Sequence, residues 1–315
     1  MKENEVIVSS SHPLAGTLTI PDSPSNAYPA VLIIPGSGKA DRDGNVKQMK
    51  MNMYKNLAHF LTEQGFITLR YDKRGVGKSE GNYMEAGLSD FISDACDLVS
   101  FLKDHRLVDS ERVLILGHSE GALIAPAVHK KTPAAGLMLL AGAAEPSIDL
   151  LPRQNERAFE ELNQLPGWKG WIIRKFNLTE KSRKTNEKIF KKVAESNQAV
   201  MRIRGAKLNA KWLRETMEYN VVDYLKKVTC PVLAITGEKD VQVPPDHAAK
   251  IAEYVQGEAE WHIIPDMNHI LRKYDGEHTI LGVMKEYKAQ IHDPLHSELL
   301  EIIQVWLKKF TNEPI

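Results

Sequence analysis

The sharpest chemical signal in this chain is Gly117-His118-Ser119-Glu120-Gly121. It follows the apolar run Val113-Leu114-Ile115-Leu116 and precedes a helical run that starts at Ala122. A strand that turns abruptly into a helix holds its turn residue in strained backbone, so the residues two before and two after must be small. Gly117 and Gly121 meet that demand. The turn leaves Ser119 Oγ exposed at the C-terminal edge of a sheet, beside the positive end of the following helix. A serine there can attack an electrophilic carbon once a base removes its proton.

On such a frame the acid and then the histidine follow in chain order, each just past a late strand. Asp240 is the candidate acid, in Thr236-Gly237-Glu238-Lys239-Asp240 after the run Pro231–Ile235. Glu238 and Asp246 compete with it and read as solvated surface carboxylates. His269 is the candidate base, in Pro265-Asp266-Met267-Asn268-His269 after Trp261–Ile264. His262 lies within that run and His278 deeper in the connection, and both read as structural. His118, beside the turn and counted with Gly117, Gly121 and Gly36 as its support, and His129, in the next helix, read as packing or surface residues. Acyl chemistry also needs two preorganised N–H donors for a developing oxyanion. The Glu120 amide is one. The other is expected in Pro35-Gly36-Ser37-Gly38, where glycines let backbone approach a substrate oxygen. By position it is the Ser37 amide, with Gly36 as a flanking alternative. A phosphate cradle is disfavoured, since neither a Lys-Ser/Thr nor a GxGxxG pattern follows.

The elements that must hold these residues read as α/β. Glu5–Ser9 and Leu14–Ile20 alternate like edge strands, while Ala30–Ile34, Phe66–Leu69, Arg112–Leu116 and Ala135–Leu140 are runs buried on both faces. Helical patterns lie between them at Tyr54–Gln64 and Leu88–Lys103. This order predicts a mostly parallel central sheet flanked by helices. The alternation stops near Gly142 and resumes at Cys230. The chain therefore divides into a core, 1–142 and 224–315, and an inserted helical lid, 143–223. The lid reads as helix without a clear strand, broken at Pro152, Pro166-Gly167 and Gly205. Asp246–Val255 reads as helix and Glu298–Phe310 as a closing amphipathic helix; Ile270–Pro294 is a long connection without a clear pattern.

Composition narrows the partners. Forty-one Lys and Arg balance forty-one Asp and Glu, so no global basic surface points to nucleic acid. The balance is a sum of unlike parts. From Ser147 to Val222 there are sixteen Lys and Arg against nine Asp and Glu, a net of +7, which leaves −7 elsewhere. Trp168, Trp171, Phe176 and Trp212 lie in this basic segment. They are expected to pack onto the core and line an acyl pocket while the Lys and Arg face water. The competing arrangement lays Trp171–Phe176 on an anionic bilayer; stable membrane association is not expected. Cys96 and Cys230 have no metal or disulfide spacing and read as small buried hydrophobes. The N-terminus lacks the apolar stretch of a secretory signal, and no run reaches the ~20 apolar residues of a membrane span. A cytoplasmic location is the expectation, and a homo-oligomer stays open.

The residues above resemble the α/β-hydrolase superfamily, and within it the bacterial serine carboxylesterase branch with lysophospholipase-like and aminopeptidase-like relatives. Pro35–Gly38 with Asp41-Arg42-Asp43-Gly44, the turn Arg74–Gly81, Gly117–Gly121, and Gly237 and Asp240 with Asn268-His269 carry the resemblance, in the family's order. It implies an α/β-hydrolase fold with a lid after the sixth strand. It also implies a Ser119, His269, Asp240 triad, a Ser37 and Glu120 oxyanion hole, and no cofactor or metal. The Asp41–Gly44 loop and the Arg74–Gly81 turn are implied supports of the site. Lys39-Ala40 departs from the Pro-Gln common in relatives. The reaction expected is hydrolysis of a carboxylic ester through an acyl-enzyme. Thioester hydrolysis, acyl transfer or peptide hydrolysis on the same triad are the alternatives, and a non-catalytic binding protein on this fold is the reading from another class. A dehalogenase would need a carboxylate in place of Ser119. Neither acyl length nor alcohol is readable.

Overall fold

The computed structural model describes residues 1–23, 27–47 and 49–311. The chain opens with β1 (Lys2–Val8), β2 (Leu14–Ile20) and β3 (Tyr28–Ile34). A small hairpin, β4 (Asn45–Val46) and β5 (Met49–Lys50), leads to α1 (Met53–Glu63) and β6 (Ile67–Tyr71). Then come α2 (Leu88–Lys103), β7 (Val108–His118), α3 (Glu120–Lys131) and β8 (Leu137–Leu140). After a long excursion, β11 (Val232–Gly237), α9 (His247–Tyr254), β12 (Ala259–Ile264), α10 (Val283–Ala289) and α11 (Ser297–Leu307) finish the chain. One eight-stranded sheet runs β1-β2-β6-β3-β7-β8-β11-β12. β2 is antiparallel to both its neighbours, and β6 through β12 pair in parallel.

The continuous apolar runs are explained by the two faces of this sheet. On β3, Ala30, Leu32 and Ile34 enter the core under α2 and α3, whereas Val31 and Ile33 enter the core under α1 and α11. β7, β8 and β11 divide their side chains the same way, so neither face tolerates polar alternation. α1 presents Leu57, Ala58 and Leu61 to one face, and α2 presents Phe91, Ala95, Leu98 and Leu102 to the other. Parallel strands deliver all their C-terminal ends to one edge, and that edge carries the site.

The excursion follows β8, the sixth strand of the large sheet. It comprises α4 (Ser147–Gln164), α5 (Gly167–Lys175), α6 (Leu178–Ala194), β9 (Val200–Ile203), β10 (Ala206–Asn209), α7 (Ala210–Glu218) and α8 (Val221–Leu225). Two expectations are corrected here. The segment contains a strand pair: β9 and β10 form an antiparallel hairpin closed by Arg204 and Gly205, both at positive φ, as a two-residue primed turn requires. Their side chains are half-buried or exposed, with only Asn209 buried, so no apolar run marks them. Pro152 does not break α4, which continues through it to Gln164. A proline in the second turn removes a single backbone bond near the helix start. Further on, α10 occupies part of the connection that showed no pattern. Cys96 and Cys230 are free and half-buried rather than fully buried, and burial pushes the Cys230 thiol up to about 12.

Candidate active site

Ser119 stands between β7 and α3 at φ 54°, ψ −115°, outside the regions a serine ordinarily adopts. Its own N–H donates to the Leu140 carbonyl at 2.9 Å, which ties the turn to β8. The flanking glycines are sterically required. A Cβ on Gly117 would lie 2.4 Å from the Gly121 carbonyl oxygen, and one on Gly121 would lie 2.0 Å from that of Ile34.

Past β11 and β12, two loops converge on this serine. Gly237 lets them meet, since a Cβ there would lie 2.0 Å from the Met267 carbonyl oxygen. That carbonyl accepts the Lys239 N–H at 2.9 Å. Asp240 and His269 are 4% and 5% exposed. The His269 Nδ1–H donates to Asp240 Oδ2 at 2.7 Å, and His269 Nε2 lies 3.1 Å from Ser119 Oγ. A carboxylate only accepts, so the proton of neutral His269 sits on Nδ1. Nε2 then offers its lone pair to the Ser119 hydroxyl. Asp240 Oδ1 accepts the Gln242 and Val243 amides at 2.8 and 2.9 Å, so both carboxylate oxygens are fixed. Asn268 stiffens the histidine loop by donating to Gln290 Oε1 at 2.7 Å and accepting the Arg272 amide at 3.1 Å. Glu238 and Asp246 are exposed, and Asp246 pairs with Lys250 at 2.6 Å. His262 stays in β12, and His278 is stacked on Tyr274 at 3.7 Å and paired with Glu286.

The loop after β3 separates its amides. Gly36 N–H donates to Tyr54 Oη at 2.7 Å and Gly38 N–H to Tyr83 Oη at 3.2 Å. The Ser37 N–H has no hydrogen-bond partner among the described residues. The Glu120 N–H opens α3, where the first turn's donors have no intrahelical acceptor. These two amides can receive an oxyanion; the Gly36 amide is occupied.

Two sets of contacts that the sequence did not reveal lie beneath the site. The first is a relay from the Ser37 loop to the histidine loop. His118 Nε2 faces the His269 carbonyl at 2.9 Å and must donate to it, which leaves Nδ1 to accept the Tyr54 hydroxyl at 3.0 Å. Tyr54 in turn accepts the Gly36 N–H. Burial, helped by the neighbouring His269, pushes His118 down to about 3, so it stays neutral and this pattern persists across the working pH range. Replacing Tyr54 with Phe leaves the Gly36 N–H and His118 Nδ1 unpaired. We expect a loss of about 1–3 kcal/mol of stability in urea unfolding. Steady-state kinetics should show kcat falling about tenfold with KM little changed, because the loss loosens donor and base rather than substrate contacts.

The second set surrounds Glu120. Its carboxylate is buried one residue beyond Ser119, where an unpaired charge would oppose the formation of an oxyanion. Lys73 Nζ pairs with it at 2.8 Å, both side chains being under a tenth exposed, and Trp212 Nε1 donates to it at 2.8 Å from α7. Trp212 thereby fastens the excursion to the turn. Asn209 adds bonds to the Tyr83 and Ala86 carbonyls at 2.9 and 2.7 Å, and Lys211 pairs with Asp90 at 2.6 Å. The Asp41–Gly44 loop and the Arg74–Gly81 turn are bound underneath. Asp72 accepts the Arg42 amide, the Arg42 guanidinium and the Lys78 amide at 2.7, 2.8 and 2.9 Å. Arg74 makes two bonds of 2.8 and 2.6 Å to Asp94.

Ser119 opens onto a cavity of about 130 Å³. Leu123, Leu150, Leu151, Trp212 and Val243 give it apolar walls, and Glu120 is its sole acidic lining residue among the described residues. Of the four lid aromatics expected to face inward, Trp212 alone does; Trp168, Trp171 and Phe176 are exposed. No group of three or more His, Cys, Asp or Glu suited to hold a metal ion is found among the described residues.

The chain is similar to several known proteins. The family described as serine aminopeptidase, S33, matches residues 48–273, a span that includes Ser119, Asp240 and His269. Esterase EstD of Thermotoga maritima is 28% identical over 275 residues, 87% of this chain; the chain spans 61% of that relative's length. Human serine hydrolase BPHL is 26% identical over 257 residues, 77% of this chain and 73% of its own. Among solved structures, Est1E from Butyrivibrio proteoclasticus with ferulic acid bound superposes with a TM-score of 0.58 at 21% identity, covering 90% of this chain and 96% of that one. That likeness is one of fold.

Proposed function

The chain belongs to the serine aminopeptidase S33 family of hydrolases, and from that premise we propose that it is a carboxylesterase acting through Ser119, His269 and Asp240. The observation that carries the proposal is the hydrogen-bonded line Asp240–His269–Ser119, at 2.7 and 3.1 Å, facing a small apolar cavity. Ser119 attacks the ester carbonyl as His269 Nε2 takes its proton. Asp240 stabilises the imidazolium and keeps its orientation. The Ser37 and Glu120 amides receive the oxyanion; one such donor is typically worth about 2.7–4 kcal/mol of barrier. His269 then protonates the departing alcohol, and the acyl-enzyme is hydrolysed by water that His269 activates in turn.

Esters are favoured over peptides by the charge around the cavity. An aminopeptidase must hold the substrate's ammonium, and Glu120, the one carboxylate in the wall, is already paired with Lys73 and bonded to Trp212. The name EstD supports the ester reading at the level of a relative. The cavity is well below the roughly 300–1,000 Å³ of pockets for drug-sized ligands, so a short acyl group is preferred. Thioesters meet the same nucleophile and remain the second reading. The test is a turnover profile over p-nitrophenyl acetate, butyrate, octanoate and decanoate, with aminoacyl p-nitroanilides alongside. Acetate or butyrate should be turned over fastest, with decanoate about tenfold or more slower in kcat/KM. Faster turnover of the anilides than of every ester would overturn the proposal.

A further inference from the structure

The lid's outer helix is packed with its aromatic side chains facing away from the protein. α5 sits on the C-terminal end of α4, an 18-residue helix about 27 Å long that begins at the cavity with Ser147. The contact is made by the small face of α5. A Cβ on Gly170 would lie 1.7 Å from the Leu165 carbonyl oxygen, and Arg174 donates to the Asn163 and Leu165 carbonyls at 2.6 and 3.1 Å. Trp168, Trp171 and Lys175, spaced i, i+3 and i+7, therefore share the outward face. Trp168 is 69% exposed, Trp171 54% and the following Phe176 52%. Lys175 Nζ stands 4.2 Å from the Trp171 ring, and Lys169 Nζ 5.9 Å from Trp168.

α6, which follows directly, has an exposed side of its own. Leu178 is exposed at its start, and Lys181, Lys184, Lys188 and Lys191 recur at i, i+3, i+7 and i+10. The opposite side of α6 puts Ile189, Phe190 and Val193 into the lid's own small core. Residues 167–192 hold nine Lys and Arg against Glu180 and Glu187, a net of +7, as large as that of the whole stretch from Ser147 to Val222. Lys184 reaches Glu180 at 3.6 Å, while Lys181 and Lys188 have no ion-pair partner among the described residues. Folding does not call for exposed indoles beside unpaired ammonium groups. Exposed Trp, Phe and Leu on α5 and its junction with α6, followed by exposed lysines on α6, match the chemistry of a lipid headgroup layer, apolar below and anionic above.

We propose that α5 and the lysine stripe of α6 form a docking face for an anionic lipid surface, engaged reversibly. Indole and phenyl rings enter the headgroup region while the lysines meet phosphate and carboxylate groups. The proposal is independent of the ester reading. The test is co-sedimentation of the full chain with vesicles of phosphatidylcholine alone or with about 30% phosphatidylserine, at low salt and at roughly 0.5 M NaCl. Binding should require the anionic lipid and weaken with salt. Trp168→Ala/Trp171→Ala and Lys181→Gln/Lys188→Gln should each lower the partition coefficient about tenfold or more. Both variants should keep the parent chain's circular dichroism spectrum and melting midpoint, which shows that they fold. No sedimentation with anionic vesicles at low salt overturns the proposal, as does binding that the variants leave unchanged. Tight binding to heparin or single-stranded DNA without vesicle binding overturns it in favour of a polyanion. A dimer lost in the tryptophan variant, again without vesicle binding, overturns it in favour of self-association.

Discussion

Ser119→Ala is expected to lower kcat for p-nitrophenyl acetate by about 10⁵- to 10⁶-fold, the scale on which a serine hydrolase loses its nucleophile. This corresponds to roughly 7–8 kcal/mol of barrier at 1.36 kcal/mol per decade. The fold should survive. Alanine accepts the same backbone geometry, and the 2.9 Å bond from the residue 119 N–H to Leu140 does not use the side chain. What disappears is the hydroxyl that lies 3.1 Å from His269 Nε2. Steady-state assays with a melting curve as control check this. Turnover within tenfold of the parent would place the nucleophile elsewhere.

The second large effect concerns Asp240. Asparagine is nearly its size but has one acceptor where Asp240 uses two oxygens. Against the Gln242 and Val243 amides at 2.8 and 2.9 Å, the asparagine oxygen takes the Oδ1 position, because an NH₂ there would face two donors. Its NH₂ then points at His269 Nδ1. The imidazole must answer with its lone pair on Nδ1 and its proton on Nε2, the tautomer that cannot accept from Ser119. Asp240→Asn should therefore lower kcat about 10⁴-fold with little change in KM or unfolding midpoint. A drop under tenfold would mean that Asp240 does not set the tautomer. A collapse of stability would mean that its main task is to hold the loop.

Much of this arrangement was legible in the sequence because the fold orders it. Ser119 and Asp240 each follow a run buried on both faces, His269 follows the half-exposed edge strand β12, and parallel strands bring all three ends to one edge. Gly117, Gly121 and Gly237 were visible as glycines where backbones approach within 2.4 Å of a missing Cβ. The supporting contacts were not legible. Tyr54 reads as part of the apolar stripe of α1 and His118 as a packing residue. Their bond joins positions 64 apart, and the next joins positions 151 apart, separations that leave no local pattern. Lys73, Glu120 and Trp212 come from a turn, a helix start and the lid. The lid misled for a different reason. Four-residue strands without an apolar run hide in a helical context, and the rule that aromatics pack inward fails on α5, where Gly170 takes the inner face.

The central claim is that Ser119 is the acylated nucleophile and that His269 activates it. The most direct measurement is intact-protein and peptide mass spectrometry after a fluorophosphonate, which balances one phosphonylated hydroxyl against one fluoride released. A single adduct mapped to Ser119 in the parent chain, absent in Ser119→Ala and formed at least about 10³-fold more slowly in His269→Ala, is the expected result. An adduct on another residue, or Ser119 labelled as fast without His269 as with it, would contradict the claim.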